Sequence, residues 1–405
     1  MTGEGLRVLV TAGSSRFAAL VVTALERRDD VATVIAVDDR APGAPFARAE
    51  FVRLGAGLTQ LPRIVRGAAV DVLVDVRAAA AIAPLDERRI TGHAAVTERV
   101  SAACIESGSP VRRLVTVGSV HRHGWDRDLP AFLTEEIEPP ANPRGGLARA
   151  LAEIERSALA TRARRPEVAV TTVRLADPVG PAGSGILQAA DRLPLLPTVL
   201  GFDPPVQVVH EEDAAAAVAH VVGERLDGPF LVAADGTLAL SEALQILGRA
   251  HAPVLPPWGT AVIAGVLSRA GLGGAHEIAG QLRRGRGIDN RRLKATGFSY
   301  RATSREALLT ASGVRRRRRV LHPGVPAPYE PEVEAFLRYS PSARTGDGAS
   351  SAPDEDGIGA LEGDALLLLL PSLDPEALRA LRAHEEAGPG RRRVLDEIDL
   401  LLHRT

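Results

Sequence analysis

Ser119, His121 and His123 fall together in the run "LVTVGSVHRHG" (114–124). A serine hydroxyl beside an imidazole that titrates near neutral pH is a candidate acid–base arrangement. Two histidines at this spacing, with no placed cysteine or carboxylate, make a poor metal site, so no metal is expected. Loop histidines facing solvent are the plainer alternative. A second group lies earlier, in "VLVTAGSSRFAALVV" (8–22). A strand-to-helix turn of this kind uses small residues so that the backbone approaches a pyrophosphate, whose charge then rests on the helix N-terminus. Gly13 is the one glycine here, with Ser14 and Ser15 beside it and Arg16 and Phe17 opening the helix. Asp38 ends the next apolar run about 25 residues on, where an acid takes up ribose hydroxyls.

Such groups need a rigid frame, and the chain supplies one. Apolar runs at 6–12, 31–39, 49–55, 70–76, 112–120, 168–176, 205–210 and 228–234 alternate with helical patterns, the clearest at 94–108 and 146–160. Strands that are apolar throughout and separated by helices imply a parallel sheet covered on both faces. The expected fold class is α/β, a doubly wound parallel sheet of Rossmann type. Segments at about 181–204 and 252–300 are expected to form a small lobe at the sheet's C-terminal edge, with the apolar stretch 256–272 as a lid over it.

In order, "VLVTAG", "VIAVDD", "VDVLVDVRAA", "LVTVGSVHRHG", "VRLADPVGP", "VVHEEDAAAAV", "DGTLALSEAL" and "DNRRLKATGF" resemble the extended, epimerase/dehydratase branch of the short-chain dehydrogenase/reductase superfamily. The similarity runs from about residue 6 to 310. It implies NAD or NADP as cofactor, with Gly13, Ser14, Ser15, Arg16, Phe17, Asp38, Arg40, Ala78 and Ala79 around it. Arg40, two residues past Asp38, keeps the NADP option open. It also implies a nucleotide-sugar ligand in the small lobe, near Arg174, Asp177 and His210, and a homodimer through the two long helices.

Members of that branch move protons with a Ser/Thr after strand five and a Tyr-x-x-x-Lys on the following long helix. Ser119 falls at the first position, but Leu147 and Leu151 occupy the tyrosine and lysine positions in "GGLARALAEIER" (145–156). The three tyrosines are Tyr300, Tyr329 and Tyr339, and Lys294 is the single lysine, so no Tyr-x-x-x-Lys exists in the chain. The expectation is a cofactor cleft bordered by hydrocarbon where a phenol and an ammonium would stand. Three readings follow: a catalytically impaired dinucleotide sensor or interaction protein; an active NAD-dependent nucleotide-sugar epimerase or dehydratase using Ser119 with His121 or His123; and a scaffold that binds no nucleotide.

Composition narrows the rest. A net charge of −1 gives no global pull toward nucleic acid, and the isolated "RRRRR" (315–319) reads as a solvated run with intramolecular partners. No apolar run reaches the length of a membrane span, and a cytoplasmic location is expected. The lone Cys104 excludes an intramolecular disulfide. The expected organisation is a core over 1–310, a basic then flexible linker over 311–358, and a helical hairpin over 359–405 that carries a protein contact.

Overall fold

A computed structural model describes residues 5–82, 87–126, 128–181, 187, 196–255, 275–321, 375–387 and 391–402. Seven parallel strands form the main sheet: β1 (Leu6–Thr11), β2 (Val31–Asp38), β3 (Glu50–Arg53), β4 (Val72–Asp75), β5 (Arg113–Ser119), β6 (Ala169–Leu175) and β7 (Gly228–Val232). Their order across the sheet is β7-β6-β5-β4-β1-β2-β3. The order reverses between β1 and β4, and in open α/β sheets that switch point opens the ligand crevice. β1 lies in register with both neighbours, Val8–Val10 facing Val34–Ala36 on one side and Val72–Val74 on the other.

Alternation along the strands divides the core in two. Val8, Val10, Ala36, Val74 and Val117 pack with α1 (Arg16–Glu26) and with the helix Glu211–Gly223. Leu9, Ile35, Leu73 and Leu114 point the other way, onto α2 (Leu61–Gly67), α5 (Thr97–Ile105) and α6 (Gly146–Arg164). Small side chains let these layers approach closely, which is how a chain with 3% aromatic residues fills its core. Cys104 is one of the buried small residues, and burial pushes its thiol up to about 12.

The structure departs from the sequence reading in three places. The helix expected over 94–108 is two helices, α4 (Glu87–Ala95) and α5, broken at Val96 (φ −112°, ψ 6°). The apolar run 205–210 does not join the main sheet. Pro205–Val206 pairs antiparallel with Leu238–Ala239, and Val208–His210 pairs parallel with Asp177–Val179. Between them the Gln207 amide donates to the Ala234 carbonyl at 2.7 Å and accepts from the Ile288 N–H at 2.7 Å, tying the lobe together. The core is expected to end near 310, but a helix runs across that bound from Ser304 to Leu321, with Ala307, Leu308 and Ala311 buried, and arginine continues a helix well. The proposed lid (256–272) and residues 322–374, which hold most of the expected linker, lie outside the described residues.

The chain divides into two compact units, residues 1–327 and 328–405. In the second, helices Pro375–Ala387 and Arg392–Leu402 form a hairpin around Leu378, Leu381, Val394 and Ile398. The fully buried Glu385 accepts from the Arg391 N–H at 3.1 Å, and Arg382 pairs with Asp399 at 2.7 Å. Among the described residues no helix is long and apolar enough to cross a membrane.

Two calorimetric transitions are expected from this division. Ile398→Ala empties the centre of a four-residue core and should lower one of them by about 2–4 kcal/mol while leaving the other in place. A single transition shifted as a whole would contradict independent units.

Candidate functional site

The crevice is built from the turn after β1 and from the tips of β2 and β4. Ala12 leaves β1 with φ +57°, a left-handed conformation that a glycine-rich turn fills with glycine. The Gly13 N–H donates to the Val37 carbonyl at 3.1 Å, and a Cβ on Gly13 would stand 3.0 Å from the Ala36 methyl. The Ser15 hydroxyl then accepts from the Ala18 N–H at 3.1 Å and caps α1. That capping leaves the first N–H groups of the helix, on Arg16 and Phe17, outside the helical ladder.

Asp38 is engaged by this turn. Its Oδ2 accepts from the Ser14 N–H at 2.9 Å and from the Ser14 hydroxyl, and Oδ1 accepts from the Asp39 N–H at 2.8 Å. Burial works to raise the Asp38 pKa, but the hydrogen bonds from Ser14 and Asp39 outweigh it and hold the carboxyl below its ordinary value. Arg16 reaches across to the buried Glu211 at 2.7 Å, while Arg40 is exposed. Phe17, Ala78 and Ala79 are buried in the core.

Between β1 and β4 lies a pair that the sequence reading missed. Asp75 and Arg77, both almost fully buried, form a forked ion pair with two contacts of 2.8 Å. The Thr11 hydroxyl donates to Asp75 Oδ1 at 2.8 Å and accepts from the Val76 N–H, closing the crevice floor. Burial would raise the Asp75 pKa, yet the Arg77 charge and hydrogen bonds hold it down at about 2. His93, on α4, feels the same charge: burial, then Arg77, pushes it down to about 4, so its ring is neutral. The signal was available in "VDVLVDVR", where Asp75 ends an apolar strand and Arg77 opens the helix that follows.

The histidine group also differs from expectation, because both rings are buried rather than solvated. Ser119 is fully buried, and its hydroxyl accepts from the His121 N–H at 3.2 Å, capping the single turn Val120–His123. His123 is pushed down to about 4 by burial and by Arg174. Neutral, it donates from Nδ1 to the Val120 carbonyl at 3.0 Å. His121 is held by Asp177, Nε2 to Oδ1 at 2.8 Å. Burial lowers the His121 pKa, but Asp177, with Glu277 further off, more than offsets it, so His121 titrates above its ordinary value. His121 and Asp177 line a cavity of about 40 Å³ with Trp125, Gln281 and Arg286.

Four remaining residues are spent on structure. Arg174 forks onto Glu155 of α6 at 2.9 and 3.1 Å, so its guanidinium serves an internal pair rather than a ligand. His210 caps the helix Glu211–Gly223. Leu147 and Leu151 are 0% and 2% exposed and pack with Ala78, Ile90 and Val206. The helix face expected to border an open cleft is therefore core: the leucines close the space, and a Cβ on Gly118 would stand 3.6 Å from Leu151.

No family model matches the chain. An uncharacterized protein of Mycobacterium tuberculosis is 34% identical over 260 residues, which span 61% of this chain and 68% of the relative. A Mycobacterium bovis protein, also uncharacterized, matches to the same extent. The chain belongs to this mycobacterial family. Solved structures extend the likeness at the level of fold. MoeE5 in complex with UDP-glucuronic acid and NAD is 19% identical, covering 77% of this chain and 99% of its own, with a TM-score of 0.57. The Thermus thermophilus UDP-glucose 4-epimerase in complex with NAD is 17% identical over 77% and 99%, with a TM-score of 0.55. The Bacillus anthracis dTDP-glucose 4,6-dehydratase in complex with NAD is 13% identical over 77% and 97%, also with a TM-score of 0.55. The fold is that of the NAD-dependent epimerases and dehydratases.

Two pH dependences follow. Asp75 titrates below its unfolded value of 3.8, so its pair adds about 2 kcal/mol that is present above roughly pH 4 and lost as pH falls toward 2. Arg77→Met strands the carboxylate and should cost about 3–5 kcal/mol at neutral pH, read by urea unfolding. His121 titrates above 6.5, so its contribution is complete below that pH and fades as pH rises through the elevated value. His121→Gln should flatten that part of the stability profile, and an unchanged profile would show that His121 does not generate it.

Proposed function

We propose that this chain is a dinucleotide-binding member of the epimerase/dehydratase fold that has given up proton transfer by the tyrosine route and acts as a sensor or interaction protein. The observation that carries the reading is the burial of Leu147 and Leu151, which the resemblance aligns with the two positions where such chemistry needs a phenol and an ammonium. Leucine has nothing to titrate. NAD or NADP would rest on the N–H groups that open α1, at Arg16 and Phe17, with Gly13, Ser14 and Ser15 shaping the turn. Asp38 and Arg40 would face the adenosine ribose, with Ala78 and Ala79 on the β4 side. The fit is tight at Asp38, whose carboxylate already accepts three hydrogen bonds, so a ribose diol must share it.

A charge-assisted hydrogen bond contributes roughly 1.5–3 kcal/mol, so the absence of a pair from a lysine weakens binding by about two to four decades. The hairpin within 359–405, whose Leu400 is exposed, would present the signal to a protein partner, and α5 with α6 would join two copies. A second reading, a working nucleotide-sugar enzyme, is supported by one observation: the 2.8 Å His121–Asp177 pair, a base held by a carboxylate.

The two readings separate in one experiment. Calorimetric titration should detect weak saturable binding of NAD⁺ or NADP⁺, and incubation with UDP-glucose or UDP-glucuronic acid should yield no epimer and no reduced nicotinamide. Turnover at ordinary enzymatic rates that His121→Gln abolishes would establish the second reading instead. Leu151→Lys tests the helix face directly: an ammonium buried there costs about 4 kcal/mol, so the variant should melt lower rather than bind dinucleotide more tightly.

A further inference from the structure

The cavity beside His121 holds a buried cation that makes no ion pair among the described residues, with the Asp126 carboxylate offsetting only part of its charge. Arg286 is 9% exposed, yet its guanidinium donates only to neutral acceptors, the Gly124 carbonyl at 2.8 Å and the Asp126 carbonyl at 2.6 Å. Among the described residues no carboxylate stands within ion-pair distance of it. The same guanidinium lies 5.7 Å from the centre of the Trp125 ring. The indole N–H of Trp125 is itself buried with no acceptor. Buried charges are ordinarily paired, and a buried donor left unmet carries its full desolvation penalty. Both defects fall in the wall of one cavity, and the cavity's own residues do not cure them.

We propose that this cavity binds the carboxylate of a small monoanionic ligand, with Arg286 and the Trp125 N–H as donors and His121 as the third polar wall. Arginine's planar fork matches a planar carboxylate, and two of its five N–H groups are committed to the carbonyls. Asp177 sets the limit on charge. It lies in the same wall, where His121 covers one of its oxygens at 2.8 Å, so a dianion would meet repulsion that a monoanion escapes. Size agrees: about 40 Å³ exceeds what one water requires and suits a carboxyl group with little attached. The apolar part of the wall, Leu133, Val206 and Ile288, would take a short hydrocarbon stem. The site stands apart from the turn after β1, so its test does not depend on dinucleotide binding.

The chain holds two tryptophans, so Trp258→Phe in the full-length protein leaves Trp125 as the sole indole reporter. Acetate, titrated at constant ionic strength, should change the Trp125 emission saturably in the millimolar range, and acetamide, its uncharged isostere, should bind at least about tenfold more weakly. Arg286→Gln should abolish the acetate response, and Arg286→Lys, which keeps the charge without the fork, should weaken it about three- to tenfold. Trp125→Phe, read by calorimetry, should cost several-fold through the lost N–H alone. Equal responses to acetate and acetamide would overturn the proposal and leave a water-filled cavity. So would no saturable response to either. Because Arg286→Gln also loses two bonds to the backbone, the Lys variant decides the case if the Gln variant does not fold: undiminished acetate affinity in a folded Arg286→Lys protein overturns the assignment.

Discussion

The Asp75 carboxylate, buried where the strand order reverses, is the constraint on which the rest of the crevice depends. A carboxylate at that depth persists only if it is paired and hydrogen-bonded. Arg77 pairs it with a fork, and Thr11 bonds it from the neighbouring strand. These bonds join the tips of β1 and β4 and fix where the turn through Ala12 and Gly13 begins. Asp38 repeats the device one strand further on, binding Ser14 of the same turn. The crevice mouth is thus held by carboxylates whose acceptor oxygens are largely committed inside the protein.

The opposite wall is hydrocarbon. Leu147 and Leu151 close the space between α6 and β5, and the charged residues nearby face one another instead of a ligand. Glu155 takes both Arg174 and Arg122, the latter at 3.3 Å, in a buried triad. A triad of this kind is costly to break and gives α6 a single docking position on the sheet. On the lobe side, beside His121 and Asp177, Arg286 meets only backbone carbonyls and the Trp125 N–H has no acceptor.

Much of the scaffold was legible in the sequence. Apolar strands separated by helices led to the parallel sheet, because burial on both faces demands side chains that are apolar at every position. Local counts also settled that no tyrosine–lysine pair exists. The run 205–210 was misplaced because a short apolar strand has the same composition whether it joins the main sheet or a lobe. The break at Val96 was missed because nothing in its composition interrupts a helix.

What the sequence by itself determined is the alternation of elements and the absence of the usual titratable pair. Each is a property of local pattern or of residue count. Tertiary structure decided which polar residues are spent and which remain available. Whether Arg174 meets Glu155 or a ligand, and whether Leu151 borders a cleft or fills one, depends on contacts between residues far apart in the chain. The same holds for His121, which reads as a loop histidine in "SVHRHG" and becomes a buried, carboxylate-bound imidazole only when Asp177, 56 residues later, is brought against it. Burial and partners set protonation and reach, and neither is written in the residue type.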